Sequence, residues 1–424
     1  MPQRHMLIVG NGQEIPSRVH DLFPGLRTTL LVRAPKVRRV RDPKRHARII
    51  GVATGWTEEW VALARDIHAR DPFDCLGSFT DVDQSEAAAI GAALGLRTHT
   101  VETVRYTRDK VAMRRRLAET GVEQIASEGV DSVAGLHRFA AAHGYPVVVK
   151  PVAGAASSGV SIVRSAAELE QAWEWGKAAR EPDSNELMIE EFLDGQELSV
   201  EAFSHDGEHF VVALTEKVKE PRHCLEIGHM VRAAFPAETV AAVSAHVGRV
   251  LTALGVRDGI THTELILTAA GPRVVETHLR RGGDSIVEMI NDTYGVDLVA
   301  LLVRQTMGED VRPALAAGLE RLRSSQEYPA IWYEIPQAAG RIVAVDGIDE
   351  ARRAPGVVAV DVAYGVGDEL PREVGDSRAR AVAVRAVAES PAQALRAARS
   401  AAQLVRLTVV AAPSSAGTAA GLID

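Results

Sequence analysis

The segment 261–283, Thr-His-Thr-Glu-Leu-Ile-Leu-Thr-Ala-Ala-Gly-Pro-Arg-Val-Val-Glu-Thr-His-Leu-Arg-Arg-Gly-Gly, holds the residues best suited to chemistry. Two apolar runs flank a short turn, and each run carries one acid, Glu264 or Glu276. Centring the turn on Ala270, with Thr268 opposite Pro272, predicts a hairpin in which Glu264 faces Glu276. Side chains alternate along a strand, so His278 shares a face with Glu276, and Arg280 follows two residues later. Two carboxylates held face to face repel unless something positive sits between them. Oxygen ligands of this kind suit Mg²⁺, which takes one or two carboxylates together with substrate phosphates. A nucleotide-using enzyme is the first expectation, and a hairpin with two exposed acids is the plain alternative.

Lys150 is a second chemical feature. It ends the run Val147-Val148-Val149, a strand expected to be buried, and an unpaired buried charge is costly, so this lysine needs a negative partner. The loop that follows, Ala153-Gly154-Ala155-Ala156-Ser157-Ser158-Gly159, has little bulk and can lay backbone N–H groups and hydroxyls around phosphate oxygens. It is not a Walker loop, because no Gly-Lys-Ser/Thr follows, and it also reads as a flexible hairpin loop. A third feature is Ile189-Glu190-Glu191-Phe192-Leu193-Asp194-Gly195-Gln196-Glu197, a strand running into a turn with acids at both ends. Its backbone is of a kind that hydrogen-bonds an adenine edge, with Glu197 accepting from ribose hydroxyls.

The elements that must position these residues follow from periodicity. Residues 1–105 alternate short apolar runs (Met6–Val9, Thr28–Val32, Phe73–Ser78) with helical patterns (Glu58–Arg70, Gln84–Leu94), which predicts a parallel sheet with crossover helices. Gly10-Asn11-Gly12 reads as a tight turn, and the basic stretch Arg33–Arg48 as a solvated loop. Arg108–Glu119 is a basic helical segment whose plain reading is a solvated linker. Residues 122–193 form a small α+β unit packed by Trp173 and Trp175. Residues 197–312 carry longer strands, the hairpin, and helices at Glu238–Leu254, Ser285–Asn291 and Val296–Met307. From about 328 the texture changes to short strands and a helix, Ala392–Val405, with Trp332 and Tyr333 packing this cap. The tail 411–424 reads as disordered.

The bulk properties fit. A length of 424 residues suggests about two to four domains. The hydrophobic (46%) and charged (25%) fractions are those of an ordinary globular protein, and the net charge of −8 argues against a general nucleic-acid role. Cys75 and Cys224 make no disulfide framework or zinc spacing and read as packing residues, which fits a reducing cytoplasm. The absence of a long apolar run gives no membrane expectation.

The order of the pieces is more specific than any one of them: Lys110, Lys150, the Gly/Ser loop, the acidic hinge 190–197, Glu264, then Glu276-Thr277-His278-Leu279-Arg280-Arg281-Gly282-Gly283. This succession resembles the ATP-grasp superfamily of carboxylate-amine ligases from about residue 105 to 310. The implied fold is α/β: a Rossmann-like N-terminal α/β domain (1–105), an ATP-grasp fold of two α+β subdomains (106–312, with a lid at about 120–193) and a small C-terminal α+β domain (313–410). The resemblance implies ATP with Mg²⁺, Mn²⁺ being an alternative. Lys110 and Lys150 would hold the α- and β-phosphates, and Ser157, Ser158 and Gly159 would close over the γ-phosphate. Glu190, Glu191, Phe192 and Leu193 would contact adenine and Glu197 the ribose. Glu264 and Glu276 would bind metal, and Arg280 would stabilise the acyl phosphate and the tetrahedral state. The family usually has Asn two residues after the second metal glutamate. Here that residue is His278, a poorer Mg²⁺ ligand, which leaves open whether it binds metal or phosphate.

Three features resemble the L-amino acid ligase branch: Glu226-Ile227-Gly228-His229 as a substrate loop, Arg280-Arg281-Gly282-Gly283 as a pocket floor, and the C-terminal segment. They imply Glu226 as a contact for a substrate amino group, His229 for phosphate or carboxylate, both as candidate bases, and Gly283 in the substrate pocket. Glu226 and His229 also read as a loop salt-bridge pair. Asp81 and Asp83 are weaker candidates for a substrate ammonium group. The expected partners are a small amino acid or carboxylate and an amine, with no nucleic acid and no membrane, in a homodimer. A different acceptor, such as bicarbonate or a peptide amine, and a non-catalytic nucleotide-binding regulator are the alternatives.

Overall fold

Four short apolar strands near the N-terminus pair in parallel in the order Arg48–Val52, Arg27–Arg33, His5–Val9, Cys75–Ser78. The helices Thr57–Arg70 and Gln84–Leu94 pack on this sheet through Trp60, Ala64, Ala87 and Ile90, as expected of a parallel sheet with crossovers. The strand Arg48–Val52 is an addition to the sequence expectation, since only Ile49 and Ile50 mark it. The computed structural model describes residues 3–53, 55–154, 158–179, 187–220, 225–336, 338–370 and 379–410. It divides into two units, Met1–Glu216 with Val231–Ser325, and Lys217–Met230 with Gln326–Asp424.

The basic segment that follows the N-terminal sheet is two helices, Val101–Arg108 and Lys110–Glu119. Asp109 breaks them and caps the second, accepting from the Ala112 N–H at 2.9 Å. Beyond lies a four-stranded antiparallel sheet ordered Ser127–Val130, Leu187–Glu191, Val147–Pro151, Ser161–Val163. Helices Val133–His143 and Leu169–Ala178 cover it through Leu136, Phe139, Leu169 and Ala172. Trp173 packs against this core, but Trp175 is 57% exposed and does not.

The rest of the first unit is built on antiparallel strands ordered Gly271–His278, Gly259–Thr268, Gly195–His205, with Glu208–Lys219 next. Alternation gives this sheet an apolar face, on which helix Ala237–Ala253 lays Val243, Val247, Val250 and Leu251. Helices Ile286–Tyr294, Leu298–Thr306 and Arg312–Ser324 follow.

In the second unit, strands Glu226–Val231, Tyr328–Glu334, Val382–Ala388 and Val357–Val362 pair antiparallel in that order. A smaller sheet joins Glu369–Leu370, Gly340–Asp346 and Arg406–Val410. Helix Pro391–Ala402 buries Ala398, Ala401 and Ala402 in a core that includes Trp332, and Tyr333 is buried as well. The helix is shorter than the alanine-rich pattern suggested, because the chain turns into the last strand at Arg406. No helix among the described residues is long and apolar enough to cross a membrane. Cys75 is buried beside Met307, its Sγ 3.7 Å from the thioether, whereas Cys224 and the tail 411–424 lie outside the described residues.

Candidate active site

Glu264 does pair with Glu276, by a different route from the centred turn. Thr268 pairs with Gly271 and Leu267 with Pro272, so the turn is one residue tighter than expected. A register shift between Glu264 and Leu265 then leaves Val275 unpaired and restores the two glutamates to opposition. His262 and His278 pair next, with stacked rings 6.2 Å apart. On the neighbouring strand Glu201 is opposite His262 and Ser199 opposite Glu264. One face of the sheet thus carries the acids and histidines, while Leu198, Val200, Leu265 and Val274 fill the core behind it.

Cations neutralise this acidic face. Lys110 Nζ lies 2.8 Å from Glu276, and His278 Nε2 lies 3.0 Å from the other oxygen of the same carboxylate. Burial and Glu264 push the Glu276 pKa up, but Lys110 and His278 prevail and hold it below the ordinary range. His278 Nδ1 is 3.2 Å from Asp81, so both its ring nitrogens face carboxylates. Burial works against its charge, yet these acids raise its pKa. His262 bridges Glu201 at 2.5 Å and Glu264 at 3.4 Å. Burial would lower its pKa, and the two acids raise it to about 10. Arg280 Nε donates to Asp81 at 2.6 Å. Asp81 is pulled down to about 2 despite burial, by His278 and Arg280.

Lys150 finds its expected partner in Glu190, at 2.5 Å, both nearly inaccessible. Arg114 donates to the second oxygen of Glu190 at 2.9 Å and to the Val274 carbonyl at 2.6 Å, which ties the strand Leu187–Glu191 to the hairpin. Two cations on one acid hold Glu190 down to about 2 against burial. Lys150 is lowered instead, by burial and by repulsion from Arg114 and Lys110 that Glu190 does not fully offset.

A cavity of about 840 Å³ opens here, lined by Lys110, Ala153, Gly154, His278 and the loop Leu279–Ser285, together with Asn11, Gln13 and Asp81. Its loops are bent into left-handed backbone at Gly10 (φ 93°), Gln13 (φ 56°), Asp284 (φ 54°) and Ser285 (φ 58°). For non-glycine residues this conformation is uncommon, with Asp among those that adopt it most readily. A Cβ at Gly10 would lie 2.6 Å from Asp83 Oδ2. Most of Arg33–Arg48 is exposed, as a solvated loop would be, and two of its cations, Lys36 and Arg39, also line the cavity. Asp83 turns away and is buried on Arg33 at 2.8 Å, so of the two weaker acidic candidates only Asp81 faces the cavity.

Residues 143–288 match the model of the ATP-grasp domain, and residues 332–410 match L-amino acid ligase C-terminal domain 2. The chain is an ATP-grasp ligase of the L-amino acid ligase type. It is 25% identical over 295 residues to dapdiamide A synthase of Enterobacter agglomerans, covering 67% of this chain and 68% of that one. To the alanine–anticapsin ligase of Bacillus subtilis it is 25% identical over 231 residues, about half of each chain (50% and 49%). The crystal structure of L-amino acid ligase from Bacillus licheniformis superposes with a TM-score of 0.79 at 20% identity, over 96% of this chain and 99% of that one, and so shares the fold.

The ligase places the remaining sequence candidates as follows. Ser157 lies outside the described residues. Ser158 is exposed beside Gly159, whose added Cβ would meet Ala179 at 2.7 Å. The Glu191 carboxylate accepts the Ala126 N–H at 3.0 Å, and the Phe192 N–H reaches the Pro146 carbonyl at 3.4 Å. Leu193 and Glu197 are half-buried, with Glu197 opposite Ile266 on the same sheet face as Glu264. Gly283 lines the cavity. Glu226 and His229 belong to the second unit, on a strand and not a loop. There they form a 3.5 Å pair, and Lys217 lies 2.9 Å from Glu226.

Sequence reasoning missed Arg114 and Glu201. Arg114 stands between Lys110 and Leu117 at i, i+4, i+7, one helix face, a spacing that separates it from its exposed neighbour Arg115. Glu201 continues the polar alternation of Glu197 and Ser199. It is fully buried, accepts the Gly282 N–H at 3.0 Å, and holds His262. A Cβ on Gly282 would come within 2.6 Å of it. Glu201→Ala in the ligase is therefore expected to lose about 1–3 kcal/mol of stability, because the Gly282 N–H and His262 lose their acceptor. Urea unfolding of the variant beside the parent protein measures this, and unchanged stability would refute the anchoring role.

Proposed function

We propose that the chain joins an amino acid, or a similar carboxylate, to an amine in an ATP-dependent, ADP-forming reaction that passes through an acyl phosphate and yields a dipeptide or natural-product amide. The observation that carries this reading is the opposed pair Glu264 and Glu276, set on one sheet face with His278 and followed by Arg280, the latter two lining a cavity of substrate size. The activities for which the similar ligases are named support it.

Two facing carboxylates are a fitting donor set for Mg²⁺, which Glu264 and Glu276 would hold. Bound there, the ion would supply charge neutralisation for the phosphates. His278, with both nitrogens on carboxylates, serves in this reading as a cationic partner of Glu276 and Asp81 and not as a ligand. Lys110 and Lys150 bind phosphate oxygens, and the incomplete neutralisation of Lys150 favours an arriving anion. Ser157, Ser158 and Gly159 cover the γ-phosphate, the segment Glu190–Leu193 holds adenine, and Glu197 the ribose.

The substrate carboxylate attacks the γ-phosphorus, forming a C–O–P linkage as the β–γ bridging bond breaks and ADP departs. The amine then attacks the acyl carbon. Arg280 donates to the developing oxyanion, and phosphate leaves with the C–O electrons. The incoming nitrogen must shed a proton, a task the resemblance of Glu226 and His229 to a substrate motif assigns to that pair.

The test is phosphate release from ATP and Mg²⁺ with single amino acids and with pairs, and mass spectrometry of the products. Release that depends on an amino acid pair, with the matching amide detected, is expected. No release with any pair from protein that binds ATP would sink the ligase reading.

A further inference from the structure

The cavity is more basic than this chemistry requires. Six lysines and arginines line it, and four are engaged within the protein. Lys110 is on Glu276, Arg280 on Asp81, Arg281 on Glu14 and Glu288, and Arg108 on the carbonyls of Asp81 and Val82. Lys36 and Arg39 have no ion pair or hydrogen bond to another side chain among the described residues.

Their placement is built by the fold. Both lie on the 3-10 segment Ala34–Arg39, which leaves the strand Arg27–Arg33. A 3-10 helix has three residues per turn, so side chains at i and i+3 eclipse, and Lys36 and Arg39 stand on one ridge. Arg38 does not line the cavity. The segment is anchored: Arg33 just before it binds Asp83 and Glu86 at 2.8 Å each, Val37 packs over Gly51, and Val40 just after it is buried. Gln13 also lines the cavity; its amide oxygen accepts from Arg281 at 3.1 Å, and its amide nitrogen is a further donor. Two cations on one ridge repel each other, and an anion accepting from both relieves that repulsion.

The triphosphate has its own cations in the proposed reaction, Lys110 and Lys150, which come from the linker helix and the lid. Lys36 and Arg39 come from the N-terminal sheet. We propose that one of the two amino acid substrates carries an anionic side chain, a carboxylate or a phosphate, and that Lys36 and Arg39 select it. This rests on the ligase reading above.

Two measurements on the full chain test it: calorimetric binding, with Mg²⁺ and a non-hydrolysable ATP analogue present, and phosphate release in amino acid pairs. The ligands are aspartate, glutamate and O-phosphoserine, against asparagine, glutamine and serine. An acidic ligand is expected to bind about tenfold or more tightly than its neutral counterpart. The double variant Lys36→Ala, Arg39→Ala should lose that preference, with a raised KM for the acidic substrate and an unchanged KM for ATP, while Arg38→Ala keeps it. Phosphoserine above glutamate would identify a phosphate as the group recognised, and the reverse a carboxylate. A wild-type preference for neutral ligands overturns the proposal, as does a double variant that weakens acidic and neutral ligands alike or raises only the KM for ATP. Release with neutral pairs alone overturns it and leaves the ligase reading standing. Selective acidic binding that the double variant abolishes, with no release from any pair, removes the ligase reading and leaves the anion site.

Discussion

Glu276→Gln is expected to lower amino-acid-dependent phosphate release by about 100-fold or more, with little loss of stability. The substitution keeps the shape of the side chain and removes its charge. In the parent, Glu276 faces Glu264 across the hairpin and is held ionised by Lys110 at 2.8 Å and His278 at 3.0 Å. The variant loses the carboxylate pair that suits Mg²⁺, so the remaining activity should demand far more Mg²⁺. Folding is affected less, because repulsion from Glu264 disappears together with attraction to Lys110 and His278. The check is phosphate release over a Mg²⁺ titration, with thermal melts alongside. A variant that keeps most of its activity at low Mg²⁺ would show that the opposed glutamates are not the metal site. A melt that collapses would make Glu276 a structural residue first.

The part of the site legible in the sequence was the part built locally. Glu264 and Glu276 belong to one hairpin, so counting outward from the turn brings them together, and the count succeeded although the turn is one residue tighter than assumed. The bulge at Val275 restores the register. What stayed hidden depends on contacts between distant segments. Asp81 and Arg280 are 199 residues apart, and Glu123 accepts the Val274 N–H from 151 residues away. No periodicity within either segment encodes such a pairing. The basic stretch Arg33–Arg48 shows the same limit in another form. Its composition is that of a solvated loop, and only the turn of the chain after Arg33 puts two of its cations on a cavity wall. Lys150 lies between these cases. Its apolar strand announced burial and therefore a partner, but which acid would supply it was settled by the pairing of Leu187–Glu191 with Val147–Pro151.

Removing that acid should produce the largest stability loss of any single substitution considered. Glu190→Leu leaves Lys150 and Arg114 charged, buried and deprived of their shared carboxylate, and breaking a buried pair in this way costs about 3–5 kcal/mol. Arg114 retains Glu123 at 3.3 Å, so Lys150 is the more exposed to the loss. Adding Lys150→Met to Glu190→Leu removes the uncompensated charge, and the double variant should be more stable than Glu190→Leu alone, a coupling that a double-mutant cycle in urea reads directly. The acid dependence has a definite sign. Glu190 titrates at about 2 in the folded protein against an ordinary 4.5, so its contribution is complete above 4.5 and fades as the pH falls toward 2. The stability gap between parent and Glu190→Leu should therefore shrink over that acidic interval. A gap that stays constant there would mean that the leucine acts through packing and not through the lost charge, and additive single variants would dissolve the pair as an energetic unit.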